Sequence, residues 1–126
     1  MFLAHILYII SVMKVAIPNW HGRISPVLDV AGRVLLVDLE NSREKYRVEM
    51  NLLYSNPFAR ARQFAEFNTN VIICDAVSGQ LEWALRSSGV QVLANICGSV
   101  EGVLQAYMSR SLGGNGRRRR LRCRHR

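Results

Sequence analysis

Residues 71–108 read VIICDAVSGQLEWALRSSGVQVLANICGSVEGVLQAYM, and the alternation within them decides the fold class. Val71 to Cys74 carries no polar residue, as expected of a short central strand covered on both faces. Ser78 offers a helix cap, Leu81, Ala84 and Leu85 follow at helical spacing, and Gly89 stands where a helix ends. Val90 to Ala94 is the next strand. Ser99 then caps a helix in which Val100, Val103, Leu104, Tyr107 and Met108 fall at i, i+3, i+4, i+7 and i+8. Two strand–helix units in series imply parallel strands with helices packed on the sheet.

Upstream, Asn56-Pro57 is a helix start, because Asn caps free N–H groups and Pro suits the first helical position. Phe58, Ala61, Phe64 and Ala65 then fall on one predicted face. Earlier still, Lys14–Pro18, Arg33–Leu39 and Lys45–Met50 read as strands. Glu40-Asn41-Ser42 supplies a turn that makes the last two an antiparallel hairpin. The expected order is βββαβαβα: one α/β domain whose mixed five-stranded sheet carries helices on both faces.

The two ends of the sequence differ from this middle. Residues 1–12, MFLAHILYIISV, form an apolar extension that stops at Lys14 and Pro18, short of the ~20 residues that span a bilayer. They also lack the charged n-region and small-residue cleavage site of a signal peptide, so the domain is expected over residues 13–112, with Met13 its candidate start and a membrane-associating or exported segment as the alternative reading of residues 1–12. The formal net charge of +8 is concentrated in residues 113–126, which hold seven arginines and no acid. Without them, ten basic residues face nine acidic ones. A run of like charges repels itself and is expected to stay disordered, whereas nucleic-acid domains spread basic residues over a folded face. The balance argues against nucleic acid and against a membrane as partner of the domain itself.

Three widely spaced cysteines, Cys74, Cys97 and Cys123, do not make a disulfide framework. Free thiols in a reducing, cytoplasmic setting are expected instead. Cys74 closes one parallel strand and Cys97 follows the next, so both are expected at the carboxyl rim, where open α/β sheets bind ligands. Cys97 precedes the start of a helix, whose partial positive charge favours the metal-binding thiolate. Cys74 reads equally as a small buried core residue. Three thiols with His21 or His125 would make a soft-ligand set suited to copper, zinc or iron–sulfur species, although no C-x-x-C pair is present.

Catalytic groupings are thin. No glycine-rich phosphate loop precedes a helix, and His5, His21 and His125 lie outside the regular elements. Asp29, Asp38 and Asp75 read as turn or edge carboxylates as readily as cation ligands. Binding is expected, not catalysis.

Met13-Lys14-Val15-Ala16-Ile17-Pro18 and Gly22-Arg23-Ile24-Ser25-Pro26-Val27 resemble the opening of the dinitrogenase iron–molybdenum cofactor biosynthesis proteins, the nitrogenase accessory factor-like domains. Asn70 to Asp75 continues the match, and Cys97-Gly98-Ser99-Val100-Glu101-Gly102-Val103-Leu104 resembles the family's CGxVExVL stretch. The resemblance implies a ribonuclease H-like three-layer fold and non-enzymatic carriage of an iron–sulfur or molybdenum–iron–sulfur cofactor or precursor, with a cofactor-assembly protein as a further partner. It also implies metal ligation by Cys97, Cys74 and Cys123, because a subgroup has cysteines after both parallel strands and in an Arg-rich tail. The alternative is an interaction module whose Arg-rich tail binds nucleic acid or an acidic protein.

Overall fold

A computed structural model describes residues 12–109. β1 (Val12–Trp20) is followed by a two-residue β2 (Arg23–Ile24), a 3-10 turn (Leu28–Val30), β3 (Arg33–Glu40) and β4 (Arg43–Asn51). Then come α1 (Pro57–Glu66), β5 (Val71–Ile73), α2 (Gly79–Ser87), β6 (Gln91–Leu93) and α3 (Val100–Met108). The main sheet runs β4-β3-β1-β5-β6, and β2 pairs with β1 off this path. β3 lies antiparallel to β1 and β4, whereas β5 runs parallel to β1 and β6. The described residues thus form a mixed six-stranded sheet with three helices.

Two departures from the sequence reading concern β1. It runs from Val12 to Trp20, well beyond Lys14–Pro18, and it takes in the last residue of the apolar extension. Pro18 is tolerated because β5 pairs only as far as Ala16, so its missing N–H breaks no bond on that side. The sixth strand arises because His21 and Gly22, at φ 52° and 83°, form a tight turn that folds Arg23 and Ile24 back onto Asn19 and Trp20. Gly22 N also donates to Asn19 Oδ1 at 2.9 Å.

Period-two alternation divides the core. Ala16, Val34, Leu36, Ile72 and Cys74 pack with Ala61 and Phe64 of α1 and Leu81, Ala84 and Leu85 of α2. Val15, Ile17, Leu35, Val37, Val71 and Ile73 pack with Val100, Val103 and Leu104 of α3. The central strands β1, β3 and β5 bury apolar residues on both sides because each side faces a helix. All three helices start on the caps expected: Asn56 accepts from Phe58 N and Ala59 N, Ser78 from Leu81 N, and Ser99 from Gly102 N.

The inward face of α1 is the one the spacing gave at Ala61 and Phe64 but not at Phe58. Phe58 is 49% exposed, while Arg60 and Gln63 join Ala61 and Phe64 in the interior. Both polar side chains are drawn in by backbone groups of the adjoining loops. Arg60 Nη1 donates to Ala31 O at 2.7 Å and Leu28 O at 3.4 Å. Gln63 Nε2 donates to Asn51 O at 3.2 Å, and its Oε1 accepts from Leu53 N at 3.0 Å.

The β4 edge is tied to α3 by Arg47, which reaches Glu44 and Glu101 at 2.6 Å each. The guanidinium holds both carboxyls below their ordinary value of 4.5. Lowered folded values stabilise above the unfolded pKa, and that stability is lost as pH falls through the folded values. Arg47→Leu is therefore expected to cost about 0.5–1 kcal/mol at neutral pH, less in high salt, because these side chains are substantially exposed. The deficit should shrink as both carboxylates protonate in acid, which urea titrations at several pH values would read. An unchanged deficit would assign the loss to packing of the Arg47 stem.

Candidate functional site at the carboxyl rim

Three connections meet beyond the carboxyl ends of β1, β5 and β6, and backbone hydrogen bonds join them. Leu28 N donates to Ala76 O at 2.8 Å and Ala76 N to Pro26 O at 3.0 Å, fastening the segment after β2 to the β5–α2 connection. Ile96 N donates to Cys74 O and Asn95 N to Asp75 O, both at 3.0 Å, fastening the β6–α3 connection to the same stretch. Ile24 N donates to Gly98 O at 3.0 Å and Val100 N to Gly22 O at 2.9 Å, closing the rim onto the β1–β2 turn. Gly98, at φ 124°, allows the backbone direction this last contact needs.

A cavity of about 260 Å³ opens on this rim beside Trp20, Ser25, Pro26, Val27, Val30 and Ala31. Its wall is mostly apolar, with Trp20 standing half out in solvent and the buried Ser25 adding a hydroxyl-bearing residue. The 28–31 turn that forms one side is held from beneath by Arg60. Asp29 in that turn accepts from Ser78 N at 2.8 Å and Ser78 Oγ at 2.6 Å, so its carboxylate steadies the start of α2.

The expected ligands are placed as follows. Cys74 is a free thiol with no exposed surface, packed among the residues beneath α1 and α2. Burial first, and then the carboxylates of Glu82, Asp75 and Asp29, push its pKa up to about 12. It stays protonated and closed off, the core reading of this residue. Cys97 is half-buried in the connection leading into α3 and is disulfide-bonded, so the expectation of three free thiols does not hold at this position. His21 is exposed, its ring edge-on to Trp20 with centroids 4.7 Å apart. Asp38 pairs with Lys14 Nζ at 3.4 Å and Asp75 is buried at the rim. Among the described residues no three His, Cys, Asp or Glu side chains come together to hold a metal ion. Cys123, His125 and the Arg-rich tail lie outside the described residues. No helix among those described is long and apolar enough to cross a membrane.

The sequence reading missed Ser25 and Arg60. Arg60 had a signal, since it sits four residues before Phe64 on the buried arc, but charge counts against burial in any apolar-spacing argument. Ser25 had none, because its burial depends on the β1–β2 turn.

No family profile matches the chain, and no curated protein is significantly similar to it. Solved structures do share its fold. The crystal structure of PH0822 superposes with a TM-score of 0.72 at 18% identity, covering 77% of this chain and 91% of that one. The Methanocaldococcus jannaschii protein MJ0327, provisionally named a dinitrogenase, superposes in its crystal structure with a TM-score of 0.65 at 19% identity, covering 80% and 92%. Its solution structure gives 0.62 at 21% identity, covering 79% and 90%. At these identities the likeness is one of fold.

Proposed function

We propose that this chain is a non-enzymatic, cytoplasmic carrier that takes up an iron–sulfur or molybdenum–iron–sulfur cofactor, or a precursor, as cargo at the carboxyl rim of a ribonuclease H-like domain. The observation that carries this reading is the position of Cys97. The residue is half-buried immediately before Gly98 and the Ser99-capped start of α3, on the rim that also holds the cavity beside Trp20. The shared fold with MJ0327, itself provisionally named a dinitrogenase, supports the same theme.

Reduction of the Cys97 disulfide would free one soft donor where helix-terminal N–H groups favour thiolate. Cys74 contributes little as described, because a protonated core thiol must be both uncovered and deprotonated before it can bind metal. Cys97, with His21 and the Cys123 and His125 of the tail, would therefore hold cargo at few points, which suits delivery better than permanent residence.

The test is anaerobic purification under reducing conditions from a metal-replete host, with metal and sulfide analysis and an absorption spectrum. Cys97→Ser is expected to lower loading about tenfold or more, whereas Cys74→Ser leaves it near the parent value. Loading that survives Cys97→Ser at equal stability would remove the basis for the proposal, as would a protein that stays colourless after incubation with synthetic clusters.

A further inference from the structure

Cys97 is disulfide-bonded, and Cys74 is a free, buried thiol. The chain has three cysteines, so within it the partner left for Cys97 is Cys123. The reach is ample. α3 begins three residues after Cys97 and runs from Val100 to Met108, about 14 Å along its axis. The 14 residues between Met108 and Cys123 extend to about 45 Å, and Gly113-Gly114-Asn115-Gly116 among them are turn formers that let a chain reverse.

The surroundings of both sulfurs favour exchange over permanence. Cys97 is half-buried beside Gly98 and the Ser99-capped start of α3, where helix-terminal N–H groups favour thiolate. Arg122 and Arg124 flank Cys123 in the sequence and favour thiolate there too. A sulfur stabilised as thiolate leaves readily when another thiolate attacks its disulfide, and a reduced form stabilised in this way makes the bond easier to reduce. Cys74 is the contrast. It has no exposed surface, and burial pushes its pKa up to about 12, which keeps it out of the exchange.

We infer that Cys97 and Cys123 form a reversible intrachain disulfide that ties the Arg-rich tail to the carboxyl rim and keeps both sulfurs from cargo until it is reduced. As regulation of the cargo site this rests on the carrier reading above, whereas the bond itself does not. A disulfide keeps its two Cα atoms about 6 Å apart, so oxidation sets Arg122 and Arg124 near the start of α3. The reductant is a small thiol of the glutathione class. Its thiolate attacks one sulfur, the S–S bond breaks, and the other cysteine leaves as thiolate and takes up a proton. A second glutathione attacks the mixed disulfide, frees the first cysteine in the same way and departs as glutathione disulfide. Two electrons have then passed to the protein, and two soft donors appear together. Reoxidation runs the same exchange backwards with glutathione disulfide.

The test uses the full chain, purified in air without metal and alkylated with iodoacetamide in denaturant. The expected result is alkylation at Cys74 alone, with the tryptic peptide 87–110, which holds Cys97, joined to Cys123-Arg124. After incubation of the native protein with reduced glutathione in large excess over its disulfide, all three cysteines should alkylate, and the joined peptide should fall about tenfold or more. Cys123→Ser should leave Cys97 open to alkylation without reductant, whereas Cys74→Ser should keep the joined peptide. Cys97 alkylated in the air-purified parent would overturn the inference. So would peptide 87–110 joined to a second copy of the chain, or a bond that survives the glutathione. A reduced protein with three free thiols that takes up no cluster would instead sink the carrier reading, and the disulfide would stand as a redox-controlled tether of the tail.

Discussion

Phe64→Ala is expected to destabilise the domain by about 3–5 kcal/mol, the largest single loss among the substitutions considered. Phe64 is fully buried where α1 meets the sheet, and it also meets Phe67 edge to face with centroids 6.3 Å apart. Truncation removes a large apolar surface and leaves a void that α1 cannot close. The helix is pinned at its start by Asn56 and along its length by Arg60 and Gln63. Domains of this size have about 5–15 kcal/mol in total, so the variant would stand near the edge of folding. A thermal melt should show the midpoint falling by more than about 12 °C. A loss under about 1 kcal/mol would mean that the α1 layer contributes far less to the core than its burial indicates.

The second large effect is at Arg60, where two opposing terms must be weighed. Burial lowers the pKa of the guanidinium, and its Nε has no hydrogen-bond partner, so part of its presence is unfavourable. Against this, Nη1 satisfies the carbonyls of Ala31 and Leu28. Without it the buried Ala31 carbonyl loses its donor at a cost of about 1–3 kcal/mol, while Leu28 O keeps its bond from Ala31 N at 3.3 Å, and the apolar stem of the arginine is lost as well. The carbonyl and packing terms outweigh the relief of desolvation, and Arg60→Ala is expected to cost about 2–4 kcal/mol in urea unfolding. Arg60→Leu keeps most of the packing but not the hydrogen bonds. It should cost less, yet still speed amide exchange at Val30 and Ala31, which frame the rim cavity. A stable Arg60→Leu protein with unchanged exchange there would show that the turn is held by other contacts, such as Asp29 with Ser78.

How much was legible in the sequence follows from the range of the forces involved. The helix starts at Asn56, Ser78 and Ser99 were readable because capping is a contact between residues two or three apart. The β3–β4 hairpin and the doubly covered Val71–Ile73 strand were readable because residue pattern reports which faces meet apolar neighbours. The carboxyl-rim positions of Cys74 and Cys97 followed from strand order. Their chemical states did not, because burial and bonding partners come from distant parts of the chain.

The sequence by itself determined the mixed α/β class, the helix starts, the two-faced core and the clustering of charge beyond residue 112. Those features rest on local propensity and on the periods of strand and helix. Tertiary structure alone decided that Arg60 lies inside while Phe58 lies outside. Only there could the carbonyls of Leu28 and Ala31, about thirty positions away in the chain, offer a buried arginine its partners. It likewise decided that Cys74 belongs to the core, since desolvation depends on α1 and α2 closing over the end of β5, and no spacing of residues encodes that.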